Sequence, residues 1–162
     1  MGDRDAAVGQ GGSEAFFQSQ VRDVELRRVA CALQIAFYLG FIGFLLVPAR
    51  SPDVVYAFGS ELSGHGFYEL SSQAWRSLQA VTYDAFPSMH TAISTLALVY
   101  AWRLRAVLSP GHPLVPVLVL APIVVLLQLA TLYLRQHYFV DLVAGWAVAG
   151  AAIALAGRLI RR

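Results

Sequence analysis

Long apolar runs separated by short polar stretches dominate the chain, and run length rather than periodicity predicts its elements. Four runs approach the roughly 20 residues that a helix needs to cross a bilayer core. The first covers residues 29–47. The second, 87–107, is marginal because Arg103 and Arg105 fall within it, although arginine stems can carry their heads out to the headgroups. The third, 114–134, is the most apolar, with Pro116 near its start and Pro122 placed to kink it. The fourth, 138–160, contains Ala144, Gly145, Ala149 and Gly150, small residues that let helices approach closely in lipid. The expected fold is all-α, an integral membrane bundle of four transmembrane helices.

Ahead of the first run, residues 1–13 are glycine-rich, charged and aperiodic, which predicts disorder. Residues 14–28 mix Phe16, Phe17, Val21, Val24 and Leu26 with charges and suit a short interfacial helix. The expected division is a disordered or interfacial tail, 1–28, and a membrane-embedded domain, 29–162.

Composition strengthens the membrane reading. Hydrophobic residues make up 57% of the 162 and charged residues only 14%, against about a quarter charged in soluble domains. A net charge of +2 supplies no basic field for nucleic acid, so no nucleic-acid partner is expected. All twelve basic residues are arginine, which excludes lysine Schiff-base and P-loop chemistry together. Cys31 is the single cysteine, so no intrachain disulfide can form. The first apolar run is followed by no small-residue cleavage site and reads as a retained anchor, not a signal peptide.

Arginine placement predicts orientation. With a cytoplasmic N-terminus, the inner segments carry Arg4, Arg22, Arg27, Arg28, Arg103, Arg105, Arg158, Arg161 and Arg162, and the outer ones Arg50, Arg76 and Arg135. Nine against three puts both termini inside, in the cell membrane. The start of the second helix, YDAFPSMHTA (83–92), and the start of the fourth, RQHYFVD (135–141), then share the outer face.

These two clusters carry the candidate chemistry. His137 and Asp141 are four residues apart, on one helix face, where a carboxylate can fix the imidazole tautomer and strengthen the other ring nitrogen as a nucleophile. His90 supplies a second imidazole for proton transfer near neutral pH. Pro87 suits a first helical turn, while Ser88 and the amides of a helix start can hold an anion. Arg135 and Arg50 could add guanidinium groups for phosphate oxygens. A nucleophilic base, its orienting acid, a proton donor and an anion cradle together describe phosphoryl transfer through a covalent intermediate.

FPSMHTA followed by LYLRQHYFVDLVAG resembles the type 2 phosphatidic acid phosphatase superfamily. The likeness is closer to its inositol phosphorylceramide synthase-like branch, where a Pro-Ser-x-His segment precedes a His-Tyr-x-x-Asp segment. LLVPARSP, 45–52, resembles that branch's first motif region. The resemblance spans roughly residues 40–150 and implies metal-independent, cofactor-free chemistry on a lipid-linked phosphate substrate. It implies His137 as nucleophile, Asp141 as its partner and His90 as proton donor, then activator of the water or alcohol that cleaves the phosphohistidine. Ser88, with Arg135 and Arg50, would bind phosphate. The family's first-motif lysine has no counterpart; its third-motif arginine, six residues before the histidine, is replaced by Thr131. Relatives usually have six helices, so the chain reads as a shortened version, a fragment or a protomer completed by homo-oligomerisation.

Plainer readings stand beside these. His137 and Asp141 could be an interfacial pair, Arg50 and Arg135 topological anchors, and Ser88 or Asp84 only helix caps. A metal site from His90, His137 and Asp141 lacks a third histidine or thiol at suitable spacing. His65 and His112 sit in glycine-flanked loops, expected to be solvated, while Trp75, Trp102 and Trp146 suit interface or packing positions. The stretch 60–86 is expected to lie along the outer surface. Two functional classes remain: a lipid phosphatase or phosphotransferase, and a non-catalytic membrane subunit that keeps the motif. A transporter is disfavoured, because the ionisable residues gather at one surface instead of mid-helix.

Overall fold

In a computed structural model, the protein is described over residues 3–59, 66, 69–70, 73, 77 and 83–160, with backbone alone over 3–21. The chain is all-helical. Helix α1 runs Asp3–Leu46, α2 Pro52–Val55, α3 Met89–Arg103, α4 Arg105–Leu108, α5 Val115–Tyr133 and α6 Phe139–Leu159. Helix α1 is continuous from Asp3, where the sequence led us to expect a disordered segment. The stretch 60–82, with His65, Trp75 and Arg76, falls almost wholly outside the described residues.

Among the described residues three helices are long and apolar enough to cross a membrane: the Arg22–Leu46 part of α1, α5 and α6. The expected fourth span is shorter than its hydropathy run. Helix α3 has 15 residues, about 22 Å at 1.5 Å per residue, against a hydrocarbon core of about 30 Å. It stops where Leu104 leaves helical geometry, and α4 resumes the path for four residues. Helix α5, by contrast, runs unbroken through Pro122.

Despite its length, α3 is the central element, packed against α1, α5 and α6, while α1 and α6 also pack on each other. The core explains this arrangement. Ala32 and Ala36 of α1 meet Ala149, Ala152 and Ala156 of α6, all fully buried, with Leu96 and Tyr100 of α3 filling the remaining space. Alanines at these spacings form a smooth stripe on each helix, so the two backbones can come close where lipid offers no hydrophobic drive to association. The larger apolar side chains point the other way: Leu45, Leu118, Leu126 and Leu159 are each more than 60% exposed. Such a surface is suited to lipid and not to water.

The helix starts are then drawn together by a second set of small residues. Gly40 lies under Met89, Gly43 under Pro87 and Gly145 under Ser88. At Gly145 a Cβ would stand 2.5 Å from the Ser88 carbonyl oxygen and 2.9 Å from the Thr91 Cβ. Only glycine lets α6 cross the N-terminus of α3 at this distance.

Candidate active site

The site is built where three chain segments meet at one end of the bundle. The segment after α1 pairs with the segment before α3, the Ala85 amide donating to the Ala49 carbonyl at 3.1 Å. The Ser88 amide donates to the Asp141 carbonyl at 3.0 Å, fastening the start of α3 to the first turn of α6. The Asp53 amide donates to the Arg135 carbonyl, also at 3.0 Å, tying α2 to the turn before α6. Arg135 reaches that position in the left-handed region, φ 59°, which costs a residue with a Cβ about 1–2 kcal/mol.

The two candidate histidines come together: their ring centroids are 5.9 Å apart. His137 is 7% exposed and its Nδ1 lies 2.9 Å from the Ala85 carbonyl oxygen. A carbonyl only accepts, so Nδ1 carries the proton and Nε2 holds the free lone pair. The expected orienting role of Asp141 is thereby revised. Its Oδ2 is 3.6 Å from Nδ1, beyond a hydrogen bond. The same oxygen instead accepts from the Tyr138 amide at 2.7 Å and caps α6. Asp141 is 1% exposed, so its charge acts on the imidazole through a poorly screened medium.

A small cavity of about 70 Å³ opens between the histidines, lined by Ser51, Asp84, Ala85, His90, Gln136 and His137, with Phe44 and Met89 at its apolar edge. Burial, and then His137 beside it, lowers the His90 pKa from its ordinary value; the Asp84 carboxylate opposes that shift. Among the described residues no group of three His, Cys, Asp or Glu side chains is arranged to hold a metal ion.

Pro87 differs from expectation in position, while Ser88 takes the capping place that was one of its two readings. Ser88 is the N-cap, its Oγ accepting from the Thr91 amide at 3.4 Å and the Thr91 hydroxyl at 3.1 Å. Pro87 therefore precedes the helix instead of opening it. Ser88 is fully buried, with amide and hydroxyl both engaged. Asp84 is not a cap but a cavity wall. The two arginines stand outside the cavity lining: Arg50 donates to the Tyr83 hydroxyl and stacks on its ring at 4.6 Å, and Arg135 stacks 3.7 Å over Phe58. Thr131, at the position of the family's third-motif arginine, is 3% exposed, and its carbonyl accepts the Gln136 and His137 amides.

Sequence reasoning missed Ser51, Gln136 and the Ala85 carbonyl. Ser51 lies within LLVPARSP, so that segment reaches the cavity through its serine, not its arginine.

The PAP2 superfamily model matches residues 19–155, a span that includes both histidine segments. The chain belongs to the PAP2 superfamily. As a PAP2 member with three apolar helices of spanning length, it is an integral membrane protein. It is also similar to a PA-phosphatase related-family protein of Dictyostelium discoideum, 27% identical over 127 residues. That match covers 75% of this chain but 22% of the relative, so the chain spans about a fifth of that protein's length. No solved structure matches the chain.

Proposed function

We propose that this PAP2 protein is a phosphatase or phosphotransferase acting on lipid-linked phosphate through a phosphohistidine on His137. The observation that carries the reading is the pairing of a buried and a half-buried imidazole, 5.9 Å apart, the buried one with Nδ1 held against a carbonyl. Nε2 of His137 attacks phosphorus as the bond to the lipid oxygen breaks, and His90 gives that oxygen its proton. Neutral His90 then takes a proton from water or an alcohol as it attacks the phosphohistidine, and Nε2 leaves. Asp141, 3.6 Å from Nδ1, stabilises the positive ring formed in the intermediate. The start of α3, shaped by the Ser88 cap, faces the phosphate with the positive end of the helix dipole. Arg50 and Arg135 reach it by swinging off Tyr83 and Phe58.

The likeness to the inositol phosphorylceramide synthase-like branch puts an alcohol such as inositol beside water as acceptor. We place the site on the outer face of the cell membrane, with both termini cytoplasmic.

The test is phosphate release from a short-chain phosphatidate or an isoprenyl diphosphate, in detergent with excess chelator. Wild-type protein releases phosphate, or forms inositol phosphate once inositol is supplied, and His137→Ala lowers either rate at least about a thousandfold. A folded wild type inactive under both conditions overturns the reading. It would favour a second one, a non-catalytic or incomplete subunit that needs a partner, for which the stacking of both arginines outside the cavity speaks.

A further inference from the structure

Gln136 is a polar residue that the fold buries without bonding its side chain. It is 7% exposed and lines the cavity beside His137. Its main-chain amide donates to the Thr131 carbonyl at 3.0 Å, but among the described residues nothing bonds to its side-chain amide. No enclosed side-chain nitrogen or oxygen among them lacks a partner, so this amide opens on the cavity and is not sealed beneath it. A polar group kept from bulk solvent without a partner is costly, and the position calls for a ligand. The backbone aims the side chain there. Neighbouring residues of a strand point to opposite faces, and those of a helix diverge by about 100°, yet Gln136 and His137 line one cavity. Arg135, in the left-handed region, turns the chain just ahead of them. The Thr131 carbonyl then accepts both amides, from Gln136 at 3.0 Å and from His137 at 3.3 Å.

The rest of the lining decides what the ligand is. The Ser51 hydroxyl gives its proton to the Asp53 carboxylate, and His137 gives its Nδ1 proton to the Ala85 carbonyl. The Asp84 carboxylate only accepts. At the start of α3 the Ser88 amide is taken by the Asp141 carbonyl and the Thr91 amide by the Ser88 hydroxyl. With His90 assigned to the leaving oxygen, the Gln136 N–H groups are the side-chain donors left in the lining for the group that His137 attacks. A phosphoryl group presents charged acceptor oxygens, and hydrogen bonds to such acceptors are the strong ones. We propose that Gln136 is a phosphate-binding residue, its Nε2 donating to a non-bridging phosphoryl oxygen while Nε2 of His137 faces phosphorus. This rests on the phosphatase reading above and adds a binding group in the residue next to the nucleophile.

The experiment uses the full chain in detergent with inorganic phosphate as the probe, its Kd read by calorimetry. Gln136→Met keeps a side chain of similar length and volume but has no N–H groups. It is expected to weaken phosphate binding about tenfold to a hundredfold, the loss of a hydrogen bond to a charged group. The thermal midpoint without phosphate is expected to stay where it is or rise, since no bond within the protein is lost. Gln136→Glu keeps the shape, exchanges the donor for an acceptor and adds a second carboxylate beside Asp84, so it is expected to weaken phosphate further. If the Met variant does not fold, the Glu variant decides by the same Kd. An unchanged Kd in a folded variant overturns the proposal, as does a wild type that binds no phosphate. Failure of both variants to fold overturns it too, because it marks a structural residue. Phosphate release from a short-chain phosphatidate is followed in parallel. Binding that depends on Gln136 in a wild type without turnover, with or without inositol, leaves the anion site standing and removes the catalytic reading. Turnover with kcat/KM unchanged in Gln136→Met does the reverse.

Discussion

Where α6 ends, Arg28 donates to the Ile160 carbonyl at 3.1 Å, and Tyr100 donates to the carbonyl of Arg28 itself. At the opposite end, where α6 begins, Ser88, His137 and Asp141 are each 7% exposed or less, and main-chain carbonyls accept the ties between segments, from amides and from the His137 ring. The first end manages its polar groups as membrane proteins commonly do, with long arginine stems reaching helix carbonyls near the surface. The second takes short polar groups out of solvent and satisfies them one by one. Burial of that kind costs stability unless every group is paired. Among the described residues no buried side-chain nitrogen or oxygen lacks a partner. The difference separates an end that needs only to sit at a membrane boundary from the end to which we assign the chemistry.

Substitutions can break this contrast. At the chemical end, His90→Ala is expected to lower phosphate release by about a hundredfold or more, the usual contribution of a positioned acid–base group. Arg28→Ala at the other end should leave the rate within about twofold, read from the same assay. Next in size is Gly145→Val, whose Cβ meets the Ser88 carbonyl and Thr91. Overpacking there should destabilise the fold by about 1–3 kcal/mol and slow turnover, seen as a lower thermal midpoint in detergent and a lower kcat. An unchanged midpoint would mean that the helices are not in close contact at that crossing.

The contrast can also be sharpened through pH. On the proposed mechanism His137 must be neutral to attack and His90 protonated to donate, so kcat/KM should be bell-shaped within the histidine range, about pH 5 to 8. His90 sets the alkaline limb, and Asp84 holds its pKa up against burial and His137. Asp84→Asn removes that opposition, so His90 loses its proton at lower pH and the alkaline limb moves down. A limb that stays in place would detach Asp84 from His90. Smallest is Tyr100→Phe, which deletes the bond to the Arg28 carbonyl. It should cost about 0.5–1.5 kcal/mol in thermal stability and leave the pH profile untouched.

Much of this could be read along the chain. Apolar run length located the Arg22–Leu46 part of α1, α5 and α6, and the expected meeting of His90 and His137 agrees with their 5.9 Å ring separation. What escaped was set by irregular backbone. The partner of His137 Nδ1 is a main-chain carbonyl at Ala85, brought in by a bridge between Ala49 and Asp84 that no side-chain pattern signals. Asp141 has the right spacing to hold His137, but the third position of a helix also favours capping, and the Tyr138 amide is closer. Arg50 and Arg135 were chosen for charge, whereas aromatic rings not visible as neighbours in the sequence hold them aside. The short α3 was hidden because hydropathy continues past the bend at Leu104.

The bond from the Ser88 amide to the Asp141 carbonyl, over the Gly145 crossing, joins the start of α3 to the first turn of α6 through main-chain atoms alone. Its acceptor is indifferent to the side chain at 141, and its donor is lost at 88 only to proline, which has no amide hydrogen. The fastening that holds the two histidine segments together is therefore written in the backbone, and substitution of neighbouring side chains leaves it in place.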